Sequence, residues 1–172
     1  MDGVLNSMPD RKVIDEWKKT NKESYCRKLY GIDPDLVKYL NLILDRTGAK
    51  IVFSTSWRYF KDHPIEGSDW RKSLADQLGV STDIFISDIP DISECEEWRN
   101  GNYIRRRGIE IESWLNNHPD ITKSENFKFC IIDDEVSDII PVLGENHVVH
   151  TDSKTGIQMK DVDRVVRILN DE

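Results

Sequence analysis

The chain has 172 residues, enough for one domain with a real core, and its 38% hydrophobic and 33% charged content fits a globular protein with a polar surface. Its formal net charge of -8 repels polyanions as a whole, so a nucleic acid would need a local basic cleft. No run has the length of a membrane span or the pattern of a signal peptide. The three scattered cysteines, Cys26, Cys95 and Cys130, have no zinc spacing, which points to a reduced, cytoplasmic setting.

In chain order, Met1-Asp2-Gly3-Val4-Leu5-Asn6-Ser7 comes first. An acidic residue, a Gly and small apolar residues at a strand end suit a turn that brings backbone close to a phosphate. The usual version of this turn carries a second Asp two positions before the first, a position that falls ahead of residue 1. Residues 8–33 are polar, with Trp17, Tyr25 and Tyr30 to bury, and read as a small flap or cap insertion with one short helix. Asp33-Pro34 then starts a helix, Asp as cap and Pro at the first helical position. Leu36, Val37, Leu40, Ile43 and Leu44 recur at helical spacing, and Thr47-Gly48 ends it.

Lys50 to Ser54 is a short apolar run of the kind buried on both faces of a parallel sheet, and Thr55-Ser56-Trp57-Arg58 follows at its carboxyl end. Residues 69–78 read as a helix with Trp70, Leu74 and Leu78 on one side, and Asp83 to Ile86 as a short strand. Residues 87–103 are acidic and irregular. Ile104 to Leu115 is a helix in which Gly108 is a weak spot, and Pro119 stops it. Phe127 to Ile132 is a second strong strand that runs into Asp133-Asp134. A short helix around 136–143, a strand at His147 to His150 and a last amphipathic helix carrying Val162, Val165, Val166 and Leu169 complete the chain. Such alternation predicts an α/β fold with a parallel sheet, organised as a single domain over 1–172.

Ligands of such sheets bind beyond the carboxyl ends of the strands. Asp2, then Ser54 with Thr55 and Arg58, then Asp133 and Asp134 with Asp138 a helical turn on, all fall at such ends. Carboxylates, a hydroxyl and a cation on one rim are the parts of a magnesium-assisted phosphoryl-transfer site, since Mg2+ takes oxygen ligands and offsets phosphate charge. Taken singly, each part has a plainer reading. Ser54, Thr55 or Asp134 could cap a helix, Arg105-Arg106-Arg107 could be a solvated face, and His63, His118, His147 and His150 have no ligand spacing. The combination carries the weight.

The segments Asp2 to Ser7, Ile51 to Arg58 and Ile131 to Asp134 resemble the first, second and fourth motifs of the haloacid dehalogenase (HAD) superfamily. The closer resemblance is to the small HAD domains associated with RNA-repair proteins, through Ser56-Trp57-Arg58, Arg107-Gly108-Ile109-Glu110-Ile111 and the tail Thr151 to Ile157. The resemblance implies a Rossmann-like, three-layer α/β/α fold with a minimal cap, and a phosphohydrolase that works through an aspartyl-phosphate. Residue by residue, it makes Asp2 the general acid/base, whose backbone carbonyl also meets Mg2+. It makes Ser54 the hydroxyl that holds the phosphoryl group, with Thr55 and Arg58 beside it, Asp133 a metal ligand, and Asp134 a metal ligand or a carboxylate that supports one. The cation of the third motif falls on Arg107, with Arg105, Arg106 and Lys123 as competitors. The implied substrate is a phosphorylated small molecule, a nucleotide or a nucleic-acid end.

The nucleophilic Asp has no counterpart in residues 1–172. The strand that carries it would pair with those ending at Ser54 and Asp133. Leaving their buried backbone groups unpaired costs about 1–3 kcal/mol each, against roughly 5–15 kcal/mol of net stability. The expectation is therefore a start upstream, with Met1 the variable residue between two Asp residues. The rival is a catalytically inactive HAD-like binding module, with residues 8–33 and 87–103 as partner-facing loops.

Overall fold

The computed structural model describes residues 4–6, 32–54, 70–90 and 106–171. Most of the expected flap and of the acidic stretch lie outside them. Helix α1 spans Pro34–Thr47. Asp33 caps it, its Oδ1 accepting from the Asp35 N–H at 2.8 Å, and Gly48 closes it at φ 64°, a left-handed conformation that suits glycine. Strand β1 is Ile51–Phe53, helix α2 is Trp70–Leu78, and a 3-10 turn at Thr82–Ile84 leads into β2, Phe85–Asp88. Helix α3 is Arg106–Asn117, the short α4 is Pro119–Thr122, and β3 is Ile131–Asp133. Helix α5 is Ile140–Leu143, β4 is Val148–His150, and α6 is Met159–Asn170.

Two expected strands are shifted. The segment beginning at Asp83 starts as a 3-10 turn capped by the Ser81 hydroxyl, so the strand begins at Phe85 and takes in Ser87 and Asp88. Of the run from Phe127, only Ile131–Asp133 is strand. Before it, Phe127 stacks on Phe129, and Phe129 on His147 with ring centroids 4.4 Å apart.

Strands β1 and β2 pair in parallel, as do β3 and β4. Alternate strand residues enter two different apolar clusters, as the period of two in a strand requires. Phe53, Phe85 and Val149, with Ile51 and Ile132, join Val4, Leu5, Ile157 and the inner faces of α1, α2 and α6. Val52, Ile131, Val148 and Ile89 join Ile111 and Trp114 of α3, Val136 and Ile139. Both strand pairs thus contribute to both cores. Among the described residues no helix is long and apolar enough to cross a membrane.

Register slips once. Ile51 faces Phe85 but Val52 faces Ser87, so Ile86 is a bulge residue, 39% exposed. Beyond it the faces are exchanged. Ser87 points to the second core, where its Oγ accepts from Trp114 Nε1 at 2.6 Å, and Asp88 aligns with Phe53.

Candidate active site

Strand polarity puts Ser54, Asp88, Asp133 and His150 at carboxyl ends. Ser54 follows the last residue of β1, Asp88 ends β2 opposite Phe53, and Asp133 ends β3 in register with His150 of β4. Asp2, Thr55 and Arg58 lie outside the described residues.

The segment after Asp2 is nevertheless anchored. Val4, Leu5 and Asn6 are buried. The Val4 carbonyl accepts from the Ile157 N–H at 2.9 Å and the Leu5 carbonyl from the Asp33 N–H at 2.8 Å. The tail Thr151 to Ile157 makes this possible. Asp152 Oδ1 accepts from the Lys154 N–H, and the Asp152 carbonyl accepts from Thr155 and Gly156, which turns the chain so that Ile157 arrives at Val4. Gly156 sits at φ 65°, and a Cβ there would lie 2.8 Å from the Val4 carbonyl oxygen. The tail and residues 4–6 are therefore one structural unit.

The loop after β3 is shaped by its own carboxylates. Asp133 Oδ1 accepts from the Glu135 N–H at 3.0 Å, Glu135 Oε1 from the Ser137 N–H at 3.2 Å, and the Asp133 carbonyl from the Thr151 N–H at 3.0 Å. The Asp134 carbonyl is 3.1 Å from His150 Nε2. Further along the loop, Asp138 Oδ2 accepts from the Arg107 N–H at 2.8 Å, which ties the first turn of α3 to the loop. Gly108 permits this approach. A Cβ there would stand 2.5 Å from the Asp138 carbonyl oxygen and 2.8 Å from Val142, so the supposed weak spot of α3 is its contact point.

Arg107 brings a charge to Asp133. Burial raises the Asp133 carboxyl above the ordinary carboxylate range, and the neighbouring Asp134 adds to this. The Glu135 N–H and the Arg107 guanidinium pull the other way without cancelling it. Arg107 Nη1 is buried and makes no hydrogen bond. Arg106 instead faces Glu110, 3.0 Å away, and Lys123 is exposed past α4, on the chain leading to the amino end of β3.

Among the described residues no group of three or more His, Cys, Asp or Glu side chains gathers as a metal site. The donor chemistry fits Mg2+ all the same. Mg2+ is commonly bound by one or two carboxylates with waters and substrate phosphate completing its shell. Asp133 and Asp134 offer oxygen only, and a cation beside Asp133 would offset the burial that raises its carboxyl. Sequence reasoning missed Arg71, Asp88 and His150 at this rim. Strand register was the signal that could have found them, and for Asp88 and its partner Arg71 it is set by a bulge that no local pattern announces.

The family model for the HAD domain in Swiss Army Knife RNA repair proteins matches residues 1–162. No curated protein matches, and no solved structure does.

Proposed function

The chain belongs to the HAD domains of Swiss Army Knife RNA repair proteins, and from that premise we propose that it is the body of a magnesium-dependent phosphohydrolase acting on phosphomonoesters at nucleic-acid ends or in nucleotides. The observation that carries the reading is the buried Arg107 Nη1, which makes no hydrogen bond, within electrostatic reach of the buried Asp133 carboxyl. A buried guanidinium nitrogen without a hydrogen bond costs free energy, as does a carboxyl raised by burial. A phosphate would satisfy the first and a cation the second.

The proposed fold is three-layered, α1, α2 and α6 on one face of a parallel sheet and α3 and α5 on the other. The two shared cores support it. In that arrangement β1 and β3 are the inner strands, and the position between them belongs to the strand that carries the nucleophilic Asp. Residues 1–172 form one such domain.

In the proposed chemistry an Asp placed two positions ahead of Asp2, as in the first motif of the superfamily, would attack phosphorus, and the ester oxygen would leave with a proton from Asp2. Asp2 then takes a proton from water, whose oxygen attacks the aspartyl-phosphate and releases inorganic phosphate. Ser54 donates to a phosphate oxygen and Arg107 holds the group against the charge of the carboxylates. Asp133, Asp134 and the Asp2 carbonyl would hold Mg2+, which would supply charge neutralisation of the phosphate. Thr55 and Arg58 are assigned to the substrate side of Ser54.

The test is hydrolysis of a phosphomonoester panel, with and without Mg2+, by a chain that includes an Asp two positions before Asp2. Magnesium-dependent release of phosphate that Asp133→Asn abolishes is the expected result. A folded protein that binds Mg2+ and phosphorylated ligands without turnover would instead make it a binding module.

A further inference from the structure

We propose that Arg71, fixed by Asp88, is a specificity-determining residue that contacts a second phosphate of the substrate, next to the one that reacts. The inference deepens the phosphohydrolase reading and rests on it for the position of the reacting phosphate.

It begins with the bulge at Ile86. Without the extra residue, Asp88 would share a face with Ile86 and Ser87 with Phe85. The slip reverses this, so that Asp88 aligns with Phe53, whose side chain lies in the core lined by α2. Bulges commonly re-aim a side chain beside an active site. Here the re-aimed carboxylate meets Arg71 in the first turn of α2, with Asp88 Oδ2 3.4 Å from Arg71 Nη2. The Ile89 N–H donates to the Phe53 carbonyl at 2.9 Å, which fixes the end of β2 beside the residue that precedes Ser54. The pair therefore stands one strand over from the proposed phosphate hydroxyl, on the same rim.

Exposure divides the pair in a telling way. The Asp88 side chain is 10% exposed and Arg71 is 38% exposed. A nearly buried acid beneath a part-exposed guanidinium orients the cation rather than presenting its own charge. The planar guanidinium fork is suited to phosphate oxygens, and orienting it in advance lowers the entropy lost on binding. In a chain of net charge -8, a polyanion needs such a local cation at the rim. A neighbouring phosphate is offered by two sources, a nucleoside bisphosphate and an oligonucleotide with a terminal phosphate.

The experiment is equilibrium binding of four ligands in Mg2+: inorganic phosphate, a nucleoside 3′-monophosphate, a nucleoside 3′,5′-bisphosphate, and an octaribonucleotide ending in a 3′-phosphate. Arg71→Ala is expected to weaken the last two roughly ten-fold, the scale of one charge-assisted hydrogen bond, and to leave the first two unchanged. The salt slope for the octamer should fall by about 0.7. Arg71→Lys recovers part of the loss and Asp88→Asn shows an intermediate one. Should Arg71→Ala not fold, those two variants carry the comparison. Equal loss for all four ligands, or for none, overturns the proposal. A loss for the octamer alone places the second phosphate along the strand, and a loss for both places it on the terminal nucleotide. A wild-type protein that binds neither inorganic phosphate nor the monophosphate, yet binds the octamer through Arg71, defeats the phosphohydrolase reading and leaves Arg71 a phosphate contact with no reacting neighbour, which overturns the proposal by a different outcome from an Arg71 variant that changes nothing.

Discussion

Asp138 accepts a hydrogen bond from the Arg107 backbone N–H at 2.8 Å, and Gly108 lies against the Asp138 carbonyl. These contacts join the first turn of α3 to the loop after β3, so the position of the Arg107 charge near Asp133 is a packing decision made at the next residue. Gly108→Ala would push the helix from the loop. The expected cost is about 1–3 kcal/mol, the scale of overpacking in a tight contact, read as a lower denaturation midpoint. Asp138→Ala removes the cap alone and should cost about 0.5–2 kcal/mol. Both variants should weaken binding of inorganic phosphate, whereas Asp138→Asn, still able to cap, should lose less.

Arg107→Met separates binding from stability. The buried Nη1 makes no hydrogen bond, so removing the guanidinium takes away a desolvated donor while keeping much of the side-chain volume. The expected result is phosphate affinity reduced at least ten-fold with a denaturation midpoint unchanged or higher. A strong loss of stability with phosphate affinity intact would show that the guanidinium serves the fold instead.

The pH dependence follows from Asp133. Its folded carboxyl is raised, chiefly by burial, so the folded protein holds this proton more tightly than the unfolded chain does. Its contribution to stability is full below the ordinary carboxylate pKa and is lost as pH rises through the raised value. Asp133→Asn should therefore stabilise the metal-free protein near neutral pH and have little effect at acid pH, measured by urea denaturation at both. The same substitution should abolish the stabilisation that Mg2+ gives the wild type, which mass action makes larger at neutral pH.

Much of this was legible because it is local. The cap at Asp33, the glycine at 48, and the apolar spacing of Leu36, Val37 and Ile43 are written within a few residues of each other, and α1 follows them. The strand ends at Ser54 and Asp133 were legible for the same reason. What escaped depended on contacts across the chain. Gly108 looks like a helix flaw until Asp138, 30 residues on, lies against it. Asp88 looks like loop until a bulge at Ile86 turns it to Arg71. His150 has no ligand spacing, yet parallel register sets it beside Asp133 and its ring reaches the Asp134 carbonyl.

Gly156 tests whether the tail holds the first motif in place. Its φ of 65° costs an L-residue roughly 1–2 kcal/mol, and a Cβ would lie 2.8 Å from the Val4 carbonyl oxygen and press on Leu36 as well. Ile157, fully buried beside it, donates to that same carbonyl, so a shift at Gly156 is transmitted straight to the segment that follows Asp2. Gly156→Ala should therefore lower the denaturation midpoint and, under the proposed role of Asp2 in holding the metal, weaken Mg2+ binding as well. Asp152→Ala, which leaves Gly156 free of the clash but removes the side-chain acceptor of the Lys154 N–H, should do both more mildly. If Gly156→Ala lost stability yet bound Mg2+ with wild-type affinity, the tail would support the core and not the rim.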